Sequence, residues 1–266
     1  MQYWSIESGS IGYPARVLLS VVIPTLNEAE ALPRTLPHTL AAARGRAVEL
    51  IVSDCGSTDG TAEVARAHGA AVVTGARSRA TALNAGAAAS TGDALLFLHA
   101  DSILPDGYAA KIAAALAKPG VVAGAFDFQF GSHPLHHGLN RYALRLVSTS
   151  NRVRFRWTRN FYGDQGLFLR RAVFDRVGGF PDVRLMEDVR LSRRLKAMGK
   201  TVVLQPAIKT SPRRFVTRGV LRQYAQDLAL LGCESCGFCP ESLWTRYNAW
   251  NEGAAREGLR DGRLSL

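Results

Sequence analysis

Ala-Leu-Leu-Phe-Leu-His-Ala-Asp, residues 94–101, is an apolar run that stops abruptly at a histidine and a carboxylate. Such a run is typical of a strand that is buried on both faces of a parallel sheet. Open α/β sheets bind their ligands just beyond the carboxyl ends of such strands, and Asp101 falls at that place. A carboxylate there predicts a site that holds a divalent cation against a diphosphate, as in an enzyme acting on an activated nucleotide compound.

Strands and helices alternate on both sides of this stretch. Apolar strands are predicted at 17–23, 48–53, 71–74 and 94–98, with helices at 28–43, 61–68, 81–89 and 107–117. We expect Pro24 to end the first strand, and Pro33 and Pro37 to delay or kink the first helix. Strands spaced by short helices indicate βαβ units, and therefore an α/β fold with a mostly parallel central sheet and helices on both faces.

The alternation loosens after residue 120. Strands are predicted at 121–130 and 201–204, and helices at 135–148, 173–177, 189–198 and 220–231, while 152–159 alternates Arg with apolar residues. We therefore divide the chain into a flexible N-terminal segment (1–16), a main domain (17–215) with halves at 17–120 and 121–215, and a C-terminal helical extension (216–266). The extension is expected to cap the main domain.

The charge of the chain is unevenly spread. The 266 residues carry 33 Lys and Arg against 22 Asp and Glu, a net charge of +11. Residues 1–140 have a net charge of −2 and residues 141–266 a net charge of +13. The second half therefore favours an anionic partner, such as a phosphorylated acceptor or an acidic lipid surface, although a basic face that only aids solubility explains it equally well. Nucleic acid is the least favoured partner, because no nucleic-acid-binding motif is present.

Targeting signals and a disulfide framework are not expected. No apolar run approaches the roughly 20 residues of a membrane-spanning helix, and residues 1–16 lack the pattern of a signal peptide. We therefore expect a cytoplasmic protein without a transmembrane segment, for which peripheral contact with a membrane stays an alternative. Four cysteines are too few for a disulfide scaffold. Cys233, Cys236 and Cys239 form a C-x-x-C-x-x-C run, for which reduced thiols are favoured over metal ligands because a fourth ligand is missing.

Two polar clusters follow the first two predicted strands. Pro24-Thr25-Leu26-Asn27-Glu28 follows the first strand, and the segment from Asp54 to Thr61 follows the second. In a parallel sheet these loops leave the same edge. Asp54 is therefore a candidate acceptor of hydrogen bonds from a base or a ribose. Helix capping alone explains Asp59 and Thr61.

Three further groups carry charge that a nucleotide site needs. Arg79 lies beside a helix start, where a guanidinium can neutralise a diphosphate. Asp101 offers Mn²⁺ or Mg²⁺ an oxygen ligand, and His99 is either a second ligand or a nucleotide contact. Glu187 and Asp188 open a helix, where they either complement the helix dipole or include a general base.

Together these motifs resemble the family-2 glycosyltransferases with the GT-A fold, a Rossmann-like architecture. The resemblance covers roughly residues 18–205 and is carried by six segments: Ser20 to Glu28, Asp54 to Thr61, Asn84-Ala85-Gly86, His99-Ala100-Asp101, Gly178-Gly179-Phe180 and Glu187-Asp188. Segments 83–87, 97–101 and 162–165 look most like a soluble bacterial subgroup whose members are often named for radical-SAM gene neighbours.

The resemblance implies a hexosyltransferase that moves a sugar, with inversion, from a UDP- or GDP-linked donor to an acceptor hydroxyl. It makes 17–120 a nucleotide half and 121–215 an acceptor half. The residues implied to bind the donor are Pro24, Thr25, Asn27, Glu28, Asp54, Arg79, Asn84, Ala100 and Asp101. Asp188 is implied as the base and Asp101, with His99, as the Mn²⁺ or Mg²⁺ site, although the family usually has an acidic residue at the position of His99. The acceptor is expected to meet Asp164, Gln165, Trp157 and Glu187.

Alternatives differ in reaction class. Membrane-bound polysaccharide synthases have a Gln-x-x-Arg-Trp motif after the Glu-Asp pair, which Leu191 to Leu195 do not match, so a single addition is favoured over polymerisation. A sugar-phosphate nucleotidyltransferase needs a Gly-rich loop after the first strand, which is not present here. A non-catalytic nucleotide-sugar-binding protein is the third reading. The main hypothesis requires Asp54, Asp101 and Asp188 to converge on one pocket; donor sugar, acceptor and oligomeric state stay open.

Overall fold

The computed structural model describes residues 17–131, 139–158 and 160–237. Over this part the chain forms one sheet with strands β1 (Leu19–Thr25), β2 (Val48–Asp54), β3 (Ala71–Thr74), β4 (Ala94–Phe97), β5 (Ser102–Ile103), β6 (Val121–Phe130), β7 (Leu167–Arg170) and β8 (Lys200–Thr210). The helices are α1 (Leu32–Ala42), α2 (Thr61–Ala67), α3 (Arg79–Ala89), α4 (Tyr108–Leu116), α5 (Leu139–Thr158), α6 (Arg171–Val177), α7 (Glu187–Met198), α8 (Arg213–Arg218) and α9 (Val220–Ser235). The predicted N-terminal segment, Cys239 and the end of the extension lie outside the described residues.

The strands are ordered β3-β2-β1-β4-β7-β6-β8-β5. The first four run parallel, β7 runs antiparallel to both β4 and β6, and β6 and β8 are again parallel. The sequence predicts the parallel half correctly. It does not predict β5 or β7, because a two-residue edge strand and a four-residue antiparallel strand are too short to show a hydrophobic period.

Successive side chains of the central strands pack alternately into two apolar cores, one on each face of the sheet. Val21 and Ile23 of β1 pack with residues of α1 and α4 on one face, and Val22 packs with residues of α3, α6 and α7 on the other. Helices therefore cover both faces of the sheet, which confirms the predicted α/β architecture. A third, smaller cluster joins the end of β6 to α5 and α9. None of the described helices is long and apolar enough to cross a bilayer.

Several boundaries differ from the sequence prediction, and β8 covers Lys200–Thr210 where a strand was predicted only over 201–204. Strand β1 continues through Pro24 to Thr25, because its pairing with β4 has already ended and the missing N–H of proline breaks no ladder there. Helix α5 runs to Thr158, so the alternating Arg and apolar residues of the 152–158 segment belong to a helix rather than to a separate strip. The predicted late start of α1 is confirmed at Leu32, with Pro33 in its first turn.

Gly124 allows β6, β7 and β8 to pack closely. A Cβ at this position would lie 2.3 Å from Cζ of Phe168 and 2.7 Å from the backbone oxygen of Val202. We expect Gly124→Ala to lower the free energy of unfolding by about 1–3 kcal/mol, because overpacking here requires the strands themselves to shift. Chemical denaturation measures the change. Gly232→Ala on α9 is the matched control, since its Cβ meets nothing within 4 Å; equal stability of both variants would contradict the prediction.

Candidate functional site

The loops that follow β1 and β2 are hydrogen-bonded to each other at the carboxyl edge of the sheet. Asp54 is buried and accepts hydrogen bonds from Oγ1 of Thr25 (2.9 Å), the hydroxyl of Ser57 and the backbone N–H groups of Gly56 (3.0 Å) and Ser57 (2.8 Å). Burial raises the pKa of Asp54, but these hydrogen bonds outweigh it and hold the pKa below its usual value. The ionised Asp54 thus fixes the loop that follows its own strand.

Neighbouring residues extend this arrangement. Oδ1 of Asn27 accepts from the backbone N–H of Thr58 at 2.9 Å, and the carbonyl oxygen of Ala100 accepts from the hydroxyl of Thr35 at 2.6 Å. Both carboxylate oxygens of Glu28 accept from Arg213 of α8 at 3.1 Å. Burial raises the pKa of Glu28, and Arg213 opposes that shift. The two loops and the start of α8 therefore form one connected edge.

A cavity of about 260 Å³ opens beside this edge, between the ends of β4 and β6 and helices α5, α7 and α9. Its polar wall brings together the charged residues Arg79, Asp101, Asp164, Glu187, Asp188, Arg154, Arg214 and Asp227. Its apolar wall is formed by Phe128, Phe130, Phe215, Leu185, Leu230 and Leu231. Asp101 and Asp188 converge on the cavity as expected. Asp54 is the last residue of β2 and does not line the cavity, so two of the three carboxylates expected to share one pocket do so.

Arg79 joins three elements at the centre of the polar wall. Its guanidinium lies 3.0 Å from the Glu187 carboxylate and is hydrogen-bonded to Nε2 of His99. Burial and the charge of Arg79 hold the pKa of His99 well below its usual range, so the imidazole is neutral. Burial raises the pKa of Glu187, Arg79 opposes this, and Asp188 adds to it. Gly163 leaves the room that Arg79 occupies, since a Cβ there would lie 1.7 Å from the guanidinium.

Asp188 is held in a defined orientation at the start of α7. Oδ2 of Asp188 accepts from the backbone N–H of Gly163 at 2.6 Å, and Oδ1 accepts from the backbone N–H of Val189 at 2.7 Å. Each carboxylate oxygen has two lone pairs, so both oxygens keep a free acceptor position. Asp188 can therefore take a proton from a hydroxyl that enters the cavity.

Asp164 lies close to Asp188 in the same cavity. Burial, together with the charge of Asp188, raises the pKa of Asp164 to about 7. Asp227 of α9, whose pKa is also raised by burial, adds to this effect. At neutral pH this wall therefore contains a carboxyl group that is partly protonated and can donate a hydrogen bond as well as accept one.

Three of the predicted site residues have contacts or positions other than the predicted ones: two bind backbone groups of the protein, and one lies on the outer surface. Both amide atoms of Asn84 bind the backbone of Phe180, with Nδ2 donating to its oxygen and Oδ1 accepting from its N–H, each at 2.9 Å. Oε1 of Gln165 accepts from the backbone N–H of Tyr162 at 3.0 Å and closes the turn that holds Asp164. Trp157 lies on the outer side of α5 and is 85% exposed, away from the cavity. Their predicted ligand roles stay predictions.

The metal-ligand atoms near Asp101 suit a cation whose remaining ligands come from the substrate. Among the described residues no group of three or more His, Cys, Asp or Glu side chains could hold a metal ion. Mg²⁺ is commonly bound by one or two carboxylates and completed by substrate phosphates, and Asp101 offers such a carboxylate. Nε2 of His99 is engaged by Arg79, so this nitrogen can ligate a metal only if that contact opens.

The sequence did not single out the C-terminal residues of the cavity. Arg214 reaches it from α8, inside which the predicted domain boundary at residue 216 falls, and Asp227, Leu230 and Leu231 reach it from α9, which the sequence placed in a separate extension. One signal was available: Asp227 is a charged residue on the same face of the helix as Leu230 and Leu231, where only apolar residues are needed for packing.

A family model named Glycosyl transferase family 2 matches residues 20–178. The match includes β1 to β7 and the loops that bear Asp54 and Asp101. The chain therefore belongs to glycosyl transferase family 2, as the sequence motifs predicted.

Solved structures share the fold. A mannosyltransferase of Pyrobaculum calidifontis in complex with GDP-Man and Mn²⁺ is 19% identical, with a TM-score of 0.50 over 98% of this chain and 91% of that chain. A glucosyl-3-phosphoglycerate synthase of Mycobacterium tuberculosis, in complex with Mn²⁺, UDP and glucosyl-3-phosphoglycerate, is also 19% identical. Its TM-score is 0.53 over 89% of this chain and 88% of that chain. At this identity the likeness establishes the GT-A fold.

Curated relatives match over shorter regions. An uncharacterized glycosyltransferase of Mycobacterium tuberculosis is 39% identical over 101 residues, which are 38% of this chain and 44% of the relative. An undecaprenyl-phosphate 4-deoxy-4-formamido-L-arabinose transferase of Pseudomonas paraeruginosa is 43% identical over 94 residues, 32% of this chain and 28% of the relative. The chain thus spans less than half the length of these relatives.

The raised pKa of Asp164 makes stability depend on pH. The pKa rises from 3.8 to about 7 on folding, so between these values the folded state binds the extra proton. Raising the pH from about 5 to 8 should therefore lower the free energy of unfolding of wild type by about 2–4 kcal/mol more than that of Asp164→Asn, because the variant has no carboxyl proton to lose at this position. Urea denaturation of both proteins in EDTA measures the difference, in which titrating groups outside this wall of the cavity cancel. The exposed Asp182→Asn is the control; parallel pH profiles for wild type and Asp164→Asn would contradict the prediction.

Proposed function

We propose that the protein is an inverting, metal-dependent glycosyltransferase that adds a single sugar from a nucleotide-diphospho-sugar to an acceptor hydroxyl. The observation that carries the proposal is the shared cavity, in which Asp101 and Asp188 face one space with Arg79 between the elements that bear them. Membership of glycosyl transferase family 2 supplies the reaction class. UDP- and GDP-Man-bound structures of the same fold support a nucleotide-linked donor.

Asp188 is the general base in this proposal. Its orientation by the N–H of Gly163 leaves acceptor positions on both oxygens, so it takes the proton of the acceptor hydroxyl as that oxygen attacks the anomeric carbon. Inversion follows if the attack comes from the face opposite the leaving nucleotide. Asp164 and Glu187 lie beside Asp188 and are placed to hydrogen-bond the acceptor or the sugar.

The departing diphosphate needs compensation of its negative charge. Asp101 would hold a Mn²⁺ or Mg²⁺ ion, which supplies Lewis-acid stabilisation of the leaving group when bound. Arg79 lies in the same wall and can bind a diphosphate oxygen, because a guanidinium presents several donors at once. The loops fixed by Asp54 and Asn27 would frame the nucleoside beyond the cavity.

Loss of the base should separate turnover from binding. We expect Asp188→Asn to lower kcat by about 10²–10⁴-fold, because the amide cannot accept the proton. Hydrolysis of a panel of UDP- and GDP-sugars in the presence of Mn²⁺, followed as released UDP or GDP, measures turnover with water as acceptor. The thermal shift caused by UDP or GDP should stay unchanged.

The control for this experiment is Asp182→Asn, which removes an exposed carboxylate outside the cavity. Full activity of Asp188→Asn would remove Asp188 from the mechanism. Nucleotide-sugar binding without any cleavage by wild type would favour the alternative of a non-catalytic binding protein.

The cation site gives a second test. We expect Asp101→Asn to weaken Mn²⁺ binding in the presence of UDP or GDP at least about tenfold, because it removes the anionic oxygen ligand contributed by the protein. The loss of the free Mn²⁺ electron paramagnetic resonance signal on binding measures this affinity. Asp106→Asn is the control, since that carboxylate lies in an exposed ion pair with Arg44. Equal Mn²⁺ affinity of wild type and Asp101→Asn would exclude Asp101 as a ligand.

A further inference from the structure

Helix α5 presents large apolar side chains to solvent. Tyr142, Leu146, Val153 and Trp157 are exposed by 65%, 70%, 50% and 85%. At 100° per residue these four positions fall within an arc of roughly 60°, so they form one stripe along the helix. We refer to this stripe, together with the exposed Arg145, as the outer face of α5.

The stripe is not needed to pack the helix. The opposite side of α5 is already buried through Leu144, Val147 and Phe155, which join two of the apolar cores. A surface helix of a globular protein normally has polar residues on its other side. A second apolar stripe in solvent instead marks a surface that contacts a partner.

The charge of α5 indicates the chemistry of that partner. Residues 139–158 contain five arginines and no aspartate or glutamate; Arg152 is paired with Asp127 and Arg154 lines the cavity, whereas Arg145 is exposed beside the stripe. Trp and Tyr favour the boundary between lipid and water, where the ring is buried and the polar atom stays hydrated. Arginine side chains near such a boundary bind anionic headgroups. Apolar, aromatic and basic residues on one helix are therefore typical of an interfacial helix.

Helix α9 continues the same pattern. It contacts α5 through a hydrogen bond between Ser150 and Tyr224. Leu221 and Leu228 of α9 lie seven residues apart and are exposed, and Arg222 is exposed next to Leu221. Both helices thus add apolar and basic groups to the surface of the molecule, whereas residues 1–140 carry a net negative charge.

We propose that the outer face of α5 is a docking surface for an anionic phospholipid bilayer. A second copy of the chain fits this face less well, because α5 carries no acidic residue, so a two-fold interface between two outer faces would give Arg145 no carboxylate partner from the facing helix. The apolar stripe enters the headgroup boundary and the exposed Arg145 beside it meets the lipid phosphates.

Docking has a consequence for the cavity. The same helix contributes Asn151 and Arg154 to the cavity wall, on the side away from the outer face. A helix with its side chains is about 10–12 Å across. The docked protein therefore keeps the cavity within about one helix diameter of the membrane surface.

Flotation of the full-length protein with vesicles tests the proposal. We expect binding to phosphatidylcholine vesicles that contain 30% phosphatidylglycerol, and much weaker binding to pure phosphatidylcholine or at 0.5 M NaCl. The double substitution Leu146→Ser and Trp157→Ser should lower the partition coefficient roughly tenfold or more. Arg145→Glu should lower it roughly fivefold or more, because it replaces an attractive charge with a repulsive one.

Matched substitutions on α1 serve as controls. Leu40→Ser and Arg34→Glu change an exposed leucine and an exposed arginine on a helix at another part of the surface, and should bind as wild type does. Circular dichroism checks that each variant is folded. Absence of vesicle binding by wild type, or equal binding by the double variant, would overturn the proposal. So would a dimer in solution that the double variant converts to a monomer, with no binding to vesicles.

Discussion

The ion pair between Arg79 and Glu187 holds the candidate site together. Glu187 is almost completely buried at the start of α7, and Arg79 begins α3 on the other side of the cavity. Removing Arg79 would leave the buried Glu187 carboxylate without its ion-pair partner, which costs more than the pair contributes. Because Asp188 follows Glu187 directly, and Arg79 also binds His99 at the end of β4, this one contact positions both the candidate base and the neighbourhood of Asp101.

The residues of the nucleotide motif divide into two physical roles. Asp54 and Asn27 both accept hydrogen bonds from backbone N–H groups of the loop that follows β2, so they shape the edge of the sheet. Asn84 does the same for the segment that ends in Phe180. Asp101, Asp164 and Asp188 instead line the cavity. A single motif in sequence thus contains residues that build the site and residues that face it, and residue type alone does not separate them.

The sequence predicts the parallel half of the sheet well, because β1, β2 and β4 each contain a run of at least three consecutive apolar residues that is buried in the sheet. It predicts Asp101 and Asp188 as site residues, since each follows or opens a recognisable element. It does not predict that β7 inserts antiparallel between β4 and β6, because that placement depends on long-range pairing rather than on a local pattern. Nor does it predict Arg79 as the partner of Glu187, 108 positions apart in sequence, since only the fold brings them together.

The C-terminal helices are tied to the site by charge. Arg190 and Arg193 of α7, two and five residues after Asp188, both bind the buried Glu234 of α9, at 3.0 Å and 3.2 Å. Arg213 of α8 binds Glu28 at the opposite end of the edge. The predicted boundary at residue 216 falls inside α8, whose neighbouring Arg214 reaches the cavity. Displacing α9 would expose Glu234 and unpair two arginines of α7, so the position of α9 and that of the helix bearing Asp188 are coupled through this carboxylate.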